Sequence, residues 1–147
     1  MSAIPVRIIN QSDHPLPTYA TPGSSGMDLR AFIPNSLVLQ PMERILVATG
    51  IYIEIPEGYE AQVRPRSGLA IKQGITCLNT PGTIDSDYRG EIKVILVNLS
   101  GEEQIVKNGD RIAQLVIQKV EKAEWVPTEH ITETKRNDGG FGHTGKN

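Results

Sequence analysis

The stretch ERILVATGIYIEIPEG, residues 43–58, decides the fold class because its apolar residues alternate with a period of two. One face is almost entirely β-branched, whereas the opposite face is mixed. Such alternation is typical of a half-buried β-strand. The first face comprises Ile45, Val47, Thr49, Ile51, Ile53 and Ile55, and the second comprises Leu46, Ala48, Gly50, Tyr52 and Glu54.

The same alternation continues on both sides of this stretch. The turn sequence PEG at 56–58 ends it, YEAQV follows, and MDLRAFI, EIKVILVNL and RIAQLVIQKVE have the strand pattern too. Turn signals at 100–102 (SGE) and 108–110 (NGD) separate the later segments. Ten prolines and fourteen glycines interrupt any long helix and leave SGLAIKQG as the one short helical candidate. Many short strands with regular turns predict an all-β sandwich or barrel.

Composition limits the classes of function. The 147 residues predict one domain with room for a sizeable core. A net charge of −2 gives no general attraction to nucleic acid or to anionic membranes, so we expect neither partner. The single cysteine, Cys77, favours a reducing compartment, and the chain has neither a bilayer-length apolar run nor a signal-peptide pattern. We therefore expect an intracellular protein, cytoplasmic or nuclear.

Five stretches are too polar or too rich in glycine for plain strands. In the first, GSSGMDLRA at 23–31, Asp28 lies between two apolar residues and points to the opposite face. This carboxylate fits either a turn cap at a strand entry or a ligand facing a cation or its water shell. In the second, RPRSGLA at 64–70, Ser67 is placed to be the N-cap of the short helix. Backbone N–H groups beside Arg64 and Arg66 would also suit an anion.

The third stretch, CLNTPGTIDSDYRGEI at 77–92, is the densest. In a strand, Asp85 and Asp87 would share a face, where two close carboxylates need a cation, an arginine or a proton between them. One interpretation is a solvated hairpin with Asp–Arg pairs. The other is an aspartate general base, with Tyr88 packed on a flat part of a substrate. The three histidines are scattered and no zinc-ligand spacing is present, so we expect no zinc site.

The last two stretches are weaker when they are considered alone. In NGDRIAQL at 108–115, Gln114 lies among apolar residues and needs a hydrogen-bond partner if it is buried. In RNDGGFGHTG at 136–145, the glycines expose backbone N–H groups that can surround phosphate oxygens. By itself this segment also fits a disordered tail.

Together, in this order, the five stretches resemble the five motifs of the trimeric dUTP pyrophosphatase (dUTPase) family. The resemblance implies a jelly-roll-like distorted β-barrel or sandwich over residues 1–135, with one short helix and a flexible glycine-rich C-terminal arm, 136–147, that closes the active site. It implies hydrolysis of dUTP to dUMP and pyrophosphate by in-line water attack on the α-phosphorus, with Mg²⁺ on the triphosphate. This reaction keeps uracil out of DNA and supplies dUMP for thymidylate synthesis. The family assembles as a homotrimer whose active sites are shared between chains.

The resemblance also implies roles for individual residues. Asp85 would be the base that orients and deprotonates water, Tyr88 would pack under the deoxyribose and exclude a 2′-hydroxyl, and Asp28 would reach the metal through water. The residues implied for the uracil edge are Asn79, Gly82, Thr83, Ile84 and Lys93. The residues implied for the phosphates are Arg66, Ser67, Gly68 and Gln114. The resemblance implies three roles in the arm. Phe141 would stack on the uracil, and Gly142 would allow a close approach of the backbone. The phosphates would be bound by Arg136, His143 and Thr144.

Two positions depart from the family pattern. Asn137 stands where glycine is usual, and His143 stands where serine is usual, which leaves the fine phosphate contacts open. His143 could add positive charge at lower pH. Three alternatives remain: a dCTP deaminase-like enzyme of the same fold, a non-catalytic nucleotide-binding trimer, and a plain β-sandwich interaction module. GTIDSDYRG fits the dUTPase pattern better than that of the deaminase, and a plain module has no need for glycine-rich phosphate chemistry.

Overall fold

The computed structural model describes residues 2–147 and confirms the all-β prediction. Eleven short strands and a single helix make up the regular structure of that range. In chain order they are β1 (Arg7–Asn10), β2 (Gly26–Arg30), β3 (Leu37–Leu39), β4 (Arg44–Ala48), β5 (Ile51–Glu54), β6 (Tyr59–Arg64), α1 (Ser67–Gln73), β7 (Ile75–Cys77), β8 (Gly82–Ile84), β9 (Lys93–Asn98), β10 (Gln104–Val106) and β11 (Arg111–Lys119).

The strands pair antiparallel in two sheets and two ribbons. The larger sheet has the order β2-β11-β6-β8, and the smaller sheet has the order β4-β9-β7. The ribbons are β1-β5 and β10-β3. Among the described residues, no two paired strands are consecutive in the chain, so distant sequence segments are brought side by side.

One hydrophobic cluster joins the two sheets. Leu29 and Leu115 contribute to it from the larger sheet, and Val47 and Leu96 contribute from the smaller one. All four side chains are buried. Because both sheets place one face in the same core, the molecule is a sandwich of the kind that alternating strands produce.

The stretch 43–58 forms two strands rather than one continuous strand. The chain bends at Gly50, whose φ is 70°, and a Cβ there would lie 2.9 Å from the backbone nitrogen of Ser12. Buried Thr49 supports the bend, because its hydroxyl donates to the Ile92 carbonyl at 2.5 Å and accepts from the Ile51 N–H at 3.2 Å. The alternation nevertheless predicted the buried face correctly from residue 47 to residue 55.

The short helix forms where the sequence predicts it, but its N-cap differs. Arg66 is the N-cap, with extended φ and ψ of −93° and 130°, and it makes no side-chain cap hydrogen bond. The prediction that Ser67 is the N-cap is therefore wrong, because Ser67 is already the first helical residue. Gly74, with φ of 65°, ends the helix in the left-handed conformation that glycine adopts without steric cost.

The chain beyond β11 is different in character. Residues 120–147 contain no helix or strand, and none of them is buried. Trp125, Ile131 and Phe141 are almost fully exposed. Across residues 2–147, no helix has the length and apolar character needed to cross a membrane.

Candidate functional site

Asp28 is held by two arginines from other elements. Arg66 Nε donates to Asp28 Oδ1 at 3.1 Å, and the two side chains are only 25% and 27% exposed. Arg111 Nη1 reaches Asp28 Oδ2 at 3.5 Å, and Arg66 Nη1 also donates to the Arg111 carbonyl at 3.2 Å. Both guanidinium groups are thus fixed beside one carboxylate, and the arrangement keeps a net positive charge.

Strand register places Gln114 beside Asp28 on the larger sheet. Gln114 on β11 is opposite Asp28 on β2 and opposite Arg64 on β6, so the three side chains share one face of the larger sheet. They line a cavity of about 240 Å³ together with residues of the loop before β2, such as Ser24. Gln114 is half-buried, and no fully buried side-chain polar atom in residues 2–147 lacks a partner. The Gln114 amide therefore faces a polar cavity and not the apolar core.

Ser67 and Gly68 begin the helix beside Arg66. Both residues are exposed, and a Cβ built on Gly68 would have no neighbour within 4 Å. The backbone N–H groups of a first helical turn have no partner inside the helix, and here no side chain caps them. This corner therefore offers uncapped N–H groups, a hydroxyl and a guanidinium to one anion.

The Asp85 region is a turn and not a strand. β8 ends at Ile84, Ser86 and Asp87 form the turn, and the Tyr88 N–H donates to the Asp85 carbonyl at 3.1 Å. The premise that Asp85 and Asp87 share a strand face is therefore wrong. Within residues 2–147, neither Asp85 nor Asp87 makes the Asp–Arg pair of the solvated-hairpin interpretation, and Arg89 pairs with Glu54 instead, at 3.5 Å. Asp85 is exposed and carries no ion pair among those residues, so its carboxylate is available to a ligand.

Five of the predicted site residues line one cavity of about 320 Å³ formed by β8, the turn after it and the start of β9. These residues are Thr83, Ile84, Asp85, Tyr88 and Lys93. The apolar part of the wall comes from Leu46, Ile92 and Ile95. A larger cavity, of about 520 Å³, contains none of the predicted site residues and has an apolar lining that includes Leu16 and Tyr59.

Tyr88 and Asn79 are oriented by glycines. The Tyr88 hydroxyl donates to the Glu91 carbonyl at 2.9 Å, and a Cβ at Gly90 would lie 2.4 Å from that hydroxyl. A Cβ at Gly82 would lie 3.1 Å from Asn79 Nδ2. The structure therefore places Asn79 against Gly82 at the start of β8, and a side chain at either glycine would crowd the neighbouring residue.

Cys77 lies at the end of β7, next to this region, but takes no part in it. Its side chain is buried, and burial raises the pKa of the thiol to about 11. A thiol that stays protonated at neutral pH is a poor nucleophile and a poor metal ligand. Cys77 is therefore a core residue.

Nearby turns, and not the sheets, order the predicted arm residues. Arg136 Nε donates to the Gly139 carbonyl at 2.6 Å, and the His143 N–H donates to the Gly140 carbonyl at 3.1 Å. Phe141 and Thr144 are exposed. In the single chain, none of the cavities lined by the other predicted site residues includes an arm residue.

The sequence interpretation missed Arg111 as a site residue. The signal was present, because Arg111 follows the turn sequence NGD at 108–110 and opens the strand that also carries Gln114. What the sequence does not show is the register shift between Arg111 and Ala113 in the pairing of β11 with β2. A shift of this kind redirects side chains.

The described residues offer little to a resident metal ion. No group of three or more His, Cys, Asp or Glu side chains that could hold a metal occurs within residues 2–147. Asp28 is the carboxylate that pairs with Arg66 and Arg111, and each of its oxygens already accepts from an arginine. The remaining lone pairs of Asp28 can accept from water, and they do not amount to a protein cage for a cation.

Comparison with known sequences points to one family. The dUTPase family matches residues 12–145. A deoxyuridine 5'-triphosphate nucleotidohydrolase of Finegoldia magna is 64% identical over 140 residues, covering 95% of this chain and 98% of the relative. A protein of the same name from Fusobacterium nucleatum is 57% identical over 146 residues, covering 99% of this chain and all of the relative.

Solved structures show the same fold at lower identity. A mutant of the dUTPase of Staphylococcus bacteriophage 80alpha, solved with dUpNHpp, superposes with a TM-score of 0.83 at 23% identity, covering 98% of this chain and 100% of that chain. A mutant dUTPase from phage phi11 of S. aureus, whose structure reveals a structural Mg(II) ion, has a TM-score of 0.78 at 22% identity, covering 88% and 100%. The jelly-roll-like fold predicted from the sequence is thereby confirmed.

Proposed function

The chain belongs to the dUTPase family, and from this premise we propose how its own residues hydrolyse dUTP to dUMP and pyrophosphate. The observation that carries the proposal is the cavity in which Asp85, Tyr88, Thr83 and Lys93 meet. It combines a carboxylate that makes no ion pair within residues 2–147, an aromatic ring, and the backbone of β8 and the turn after it. These are the groups that water activation and base recognition require.

Asp85 is the general base. Its exposed carboxylate at the end of β8 accepts a proton from a water molecule as the water oxygen attacks the α-phosphorus. The bond from this phosphorus to the bridging oxygen breaks, and pyrophosphate leaves on the opposite side. Phosphoryl chemistry of this kind depends mainly on positioning and charge stabilisation, so a fixed carboxylate contributes by orientation as well as by basicity.

Strand β8, the turn after it and Tyr88 select the nucleoside. Backbone groups of 82–85, with Asn79 beside Gly82, read the uracil edge, and a closely packed pocket excludes larger or mismatched bases. The Tyr88 ring, fixed by its bond to the Glu91 carbonyl, packs under the deoxyribose and leaves no space for a 2′-hydroxyl. Lys93, the first residue of β9, lines the same pocket.

The corner at the start of α1 binds the phosphates. Arg66, Ser67 and Gly68 offer a guanidinium, a hydroxyl and uncapped N–H groups, and Gln114 adds an amide from the adjacent cavity. Asp28 aligns Arg66 through the 3.1 Å ion pair, and its carboxylate would hold Mg²⁺ through a water molecule. Mg²⁺, bound with the triphosphate, supplies charge neutralisation and orientation of the phosphates.

The active form is a homotrimer with shared sites. In the single chain, the cavities that contain Asp28 and Asp85 include no arm residue. The phosphate corner of one chain, the nucleoside cavity of a second chain and the arm of another would together supply the groups for one dUTP molecule.

Residues 136–147 form an arm that closes over the site of another chain, and residues 1–135 form the β domain. Phe141 is fully exposed, so its ring is free to cover a uracil base. Arg136, His143 and Thr144 reach the phosphates, and Gly142, with φ of 89°, allows the backbone to approach closely. The protein acts inside the cell, in the cytoplasm or nucleus, where its one thiol stays reduced.

The test is pyrophosphate release from dUTP, dTTP, dCTP and UTP at equal concentration, with ammonia release from dCTP measured in parallel. We expect strong preference for dUTP and no ammonia. Turnover of UTP at the dUTP rate would remove Tyr88 from its role. Light scattering on the active protein should give three times the 16.1 kDa chain mass, and full activity at the monomer mass would contradict the shared site.

A further inference from the structure

The arm begins with a reciprocal pair of hydrogen bonds between Thr134 and Asn137. The Thr134 N–H donates to Asn137 Oδ1 at 2.8 Å, and the Asn137 N–H donates to Thr134 Oγ1 at 3.0 Å. Each residue thus caps the backbone of the other. We call this pair the Thr134–Asn137 clasp, and it closes residues 134–137 without help from any strand.

Asn137 also adopts the left-handed backbone conformation that this turn requires. Its φ is 44°, in the left-handed region that most side chains avoid and that asparagine tolerates better than other non-glycine residues. The departure from the usual glycine therefore keeps the shape of the turn. It adds a side-chain amide that glycine does not possess, and the clasp depends on that amide.

The clasp leads directly into the turn that holds Arg136. The Gly139 N–H donates to the Arg136 carbonyl at 2.9 Å, and Arg136 Nε donates back to the Gly139 carbonyl at 2.6 Å. On the other side, the His143 ring lies against Gly139, where a Cβ would come within 2.7 Å of it. The backbone around Arg136 is therefore fixed from both directions before any ligand is bound.

We propose that Asn137 is a positioning residue, which orders the start of the arm through the clasp and so presents Arg136 for closure over the triphosphate. The inference rests on the closing role proposed above for the arm. A segment that is already ordered loses less conformational entropy when it closes, so a larger share of the substrate complexes is closed. Asn137 acts through the backbone of Arg136 and need not touch the substrate.

Two single variants remove the clasp in different ways. Asn137→Gly retains the left-handed conformation and removes the amide, whereas Thr134→Val retains the β-branched shape and removes the hydroxyl. The matched control is Thr128→Val. It removes a similar local pair, in which Thr128 Oγ1 donates to the His130 carbonyl at 3.0 Å and accepts from the His130 N–H at 3.4 Å, upstream of the arm.

Trypsin provides a readout that does not depend on activity, because Lys135 and Arg136 lie inside the clasp. In the unliganded protein we expect Asn137→Gly and Thr134→Val to speed cleavage at these residues about three- to tenfold relative to cleavage after Lys122. In both clasp variants, the concentration of dUpNHpp that gives half-maximal protection from trypsin should also rise about three- to tenfold. Thr128→Val should behave as the parent protein does in both measurements.

The kinetic readout completes the test. We expect kcat/KM for dUTP to fall about three- to tenfold in both clasp variants, with the melting temperature unchanged. Unchanged cleavage at Lys135 and Arg136 would overturn the clasp, and faster cleavage with unchanged kcat/KM would overturn its positioning role. Failure of the proposed arm function itself is recognised separately, because a protein ending at Lys135 would then keep full activity.

Discussion

The β-sandwich and the C-terminal segment 120–147 are ordered by opposite means. In the sandwich, side chains such as Leu29 and Leu96 are completely buried, and residues far apart in sequence hold one another in place. In the C-terminal segment no residue is buried. Beyond Val120, whose N–H donates to the Gly58 carbonyl at 2.8 Å, the hydrogen bonds of the segment connect residues at most three positions apart.

The two regions therefore contribute to catalysis in different ways. Asp28, Asp85 and Tyr88 stand on a scaffold that fixes their directions in advance, which is what positioning catalysis requires. The arm has only local turns, so its final position must come from a ligand or from another chain. Each of the following experiments tests this division between a fixed catalytic scaffold and a locally ordered arm.

The largest effect should come from the base on the scaffold. Asp85→Asn should lower kcat about a thousandfold, because the amide cannot accept the proton of the attacking water. Substrate binding, measured by dUpNHpp titration, should be largely retained. The control is Asp87→Asn, two residues along the same exposed turn, which should stay within about threefold of the parent protein, as surface substitutions usually do. An active Asp85→Asn enzyme would remove Asp85 from the role of base.

Loss of the arm should have the next largest effect. A protein ending at Lys135 should lose about a hundredfold in kcat/KM for dUTP, because the triphosphate is no longer aligned and shielded from water. Its melting temperature and oligomeric mass should not change, since the arm buries nothing. Removing only Lys146 and Asn147 should leave activity intact. If the shorter protein unfolds or changes its mass, the two regions are not independent.

A smaller effect is expected at the ion pair that orients the phosphate corner. Asp28→Asn should raise KM for dUTP about 30-fold, because Arg66 loses a charge-assisted partner in a part-buried position. The control is Asp13→Asn, in the exposed loop after β1. An increase in KM confined to Asp28→Asn supports the alignment of Arg66, whereas equal kinetics for the two variants would contradict it.

The smallest effect should appear in the pH dependence of stability. The pKa of the Cys77 thiol is raised by burial from 9.0 to about 11, so folding favours the protonated thiol. Its contribution to stability is complete below pH 9 and is lost as the pH rises towards 11, by about 1 kcal/mol at pH 10. Urea unfolding of the parent protein and of Cys77→Ala at pH 8 and pH 10 measures this contribution. The free energy of unfolding should fall more between the two pH values in the parent protein than in Cys77→Ala. An equal fall in both proteins would place the thiol in contact with solvent.

The sequence predicted the strands and the family correctly, and the family assignment favours dUTP hydrolysis over the deaminase alternative. It predicted the buried face of residues 47–55 because period-two alternation is a local property. It failed at the Ser67 N-cap and at the supposed strand of Asp85 and Asp87. Both failures lie at element ends, where neighbouring segments, and not local preference, decide where a strand or helix stops.

By itself, the sequence determined the alternating strands, the glycine turns and the five motifs, since each depends on residues that are close together in the chain. Only the tertiary structure decided that Arg66 and Arg111 both hold Asp28, that Gln114 shares its row, and that Thr49 and Gly50 bend the stretch 43–58. The physical reason is that pairing register and burial depend on segments brought together from distant parts of the chain. The Thr134–Asn137 clasp is an exception, because its partners are only three residues apart in the chain. The φ of Asn137 and the hydrogen bonds of the clasp nevertheless became visible only in the three-dimensional structure.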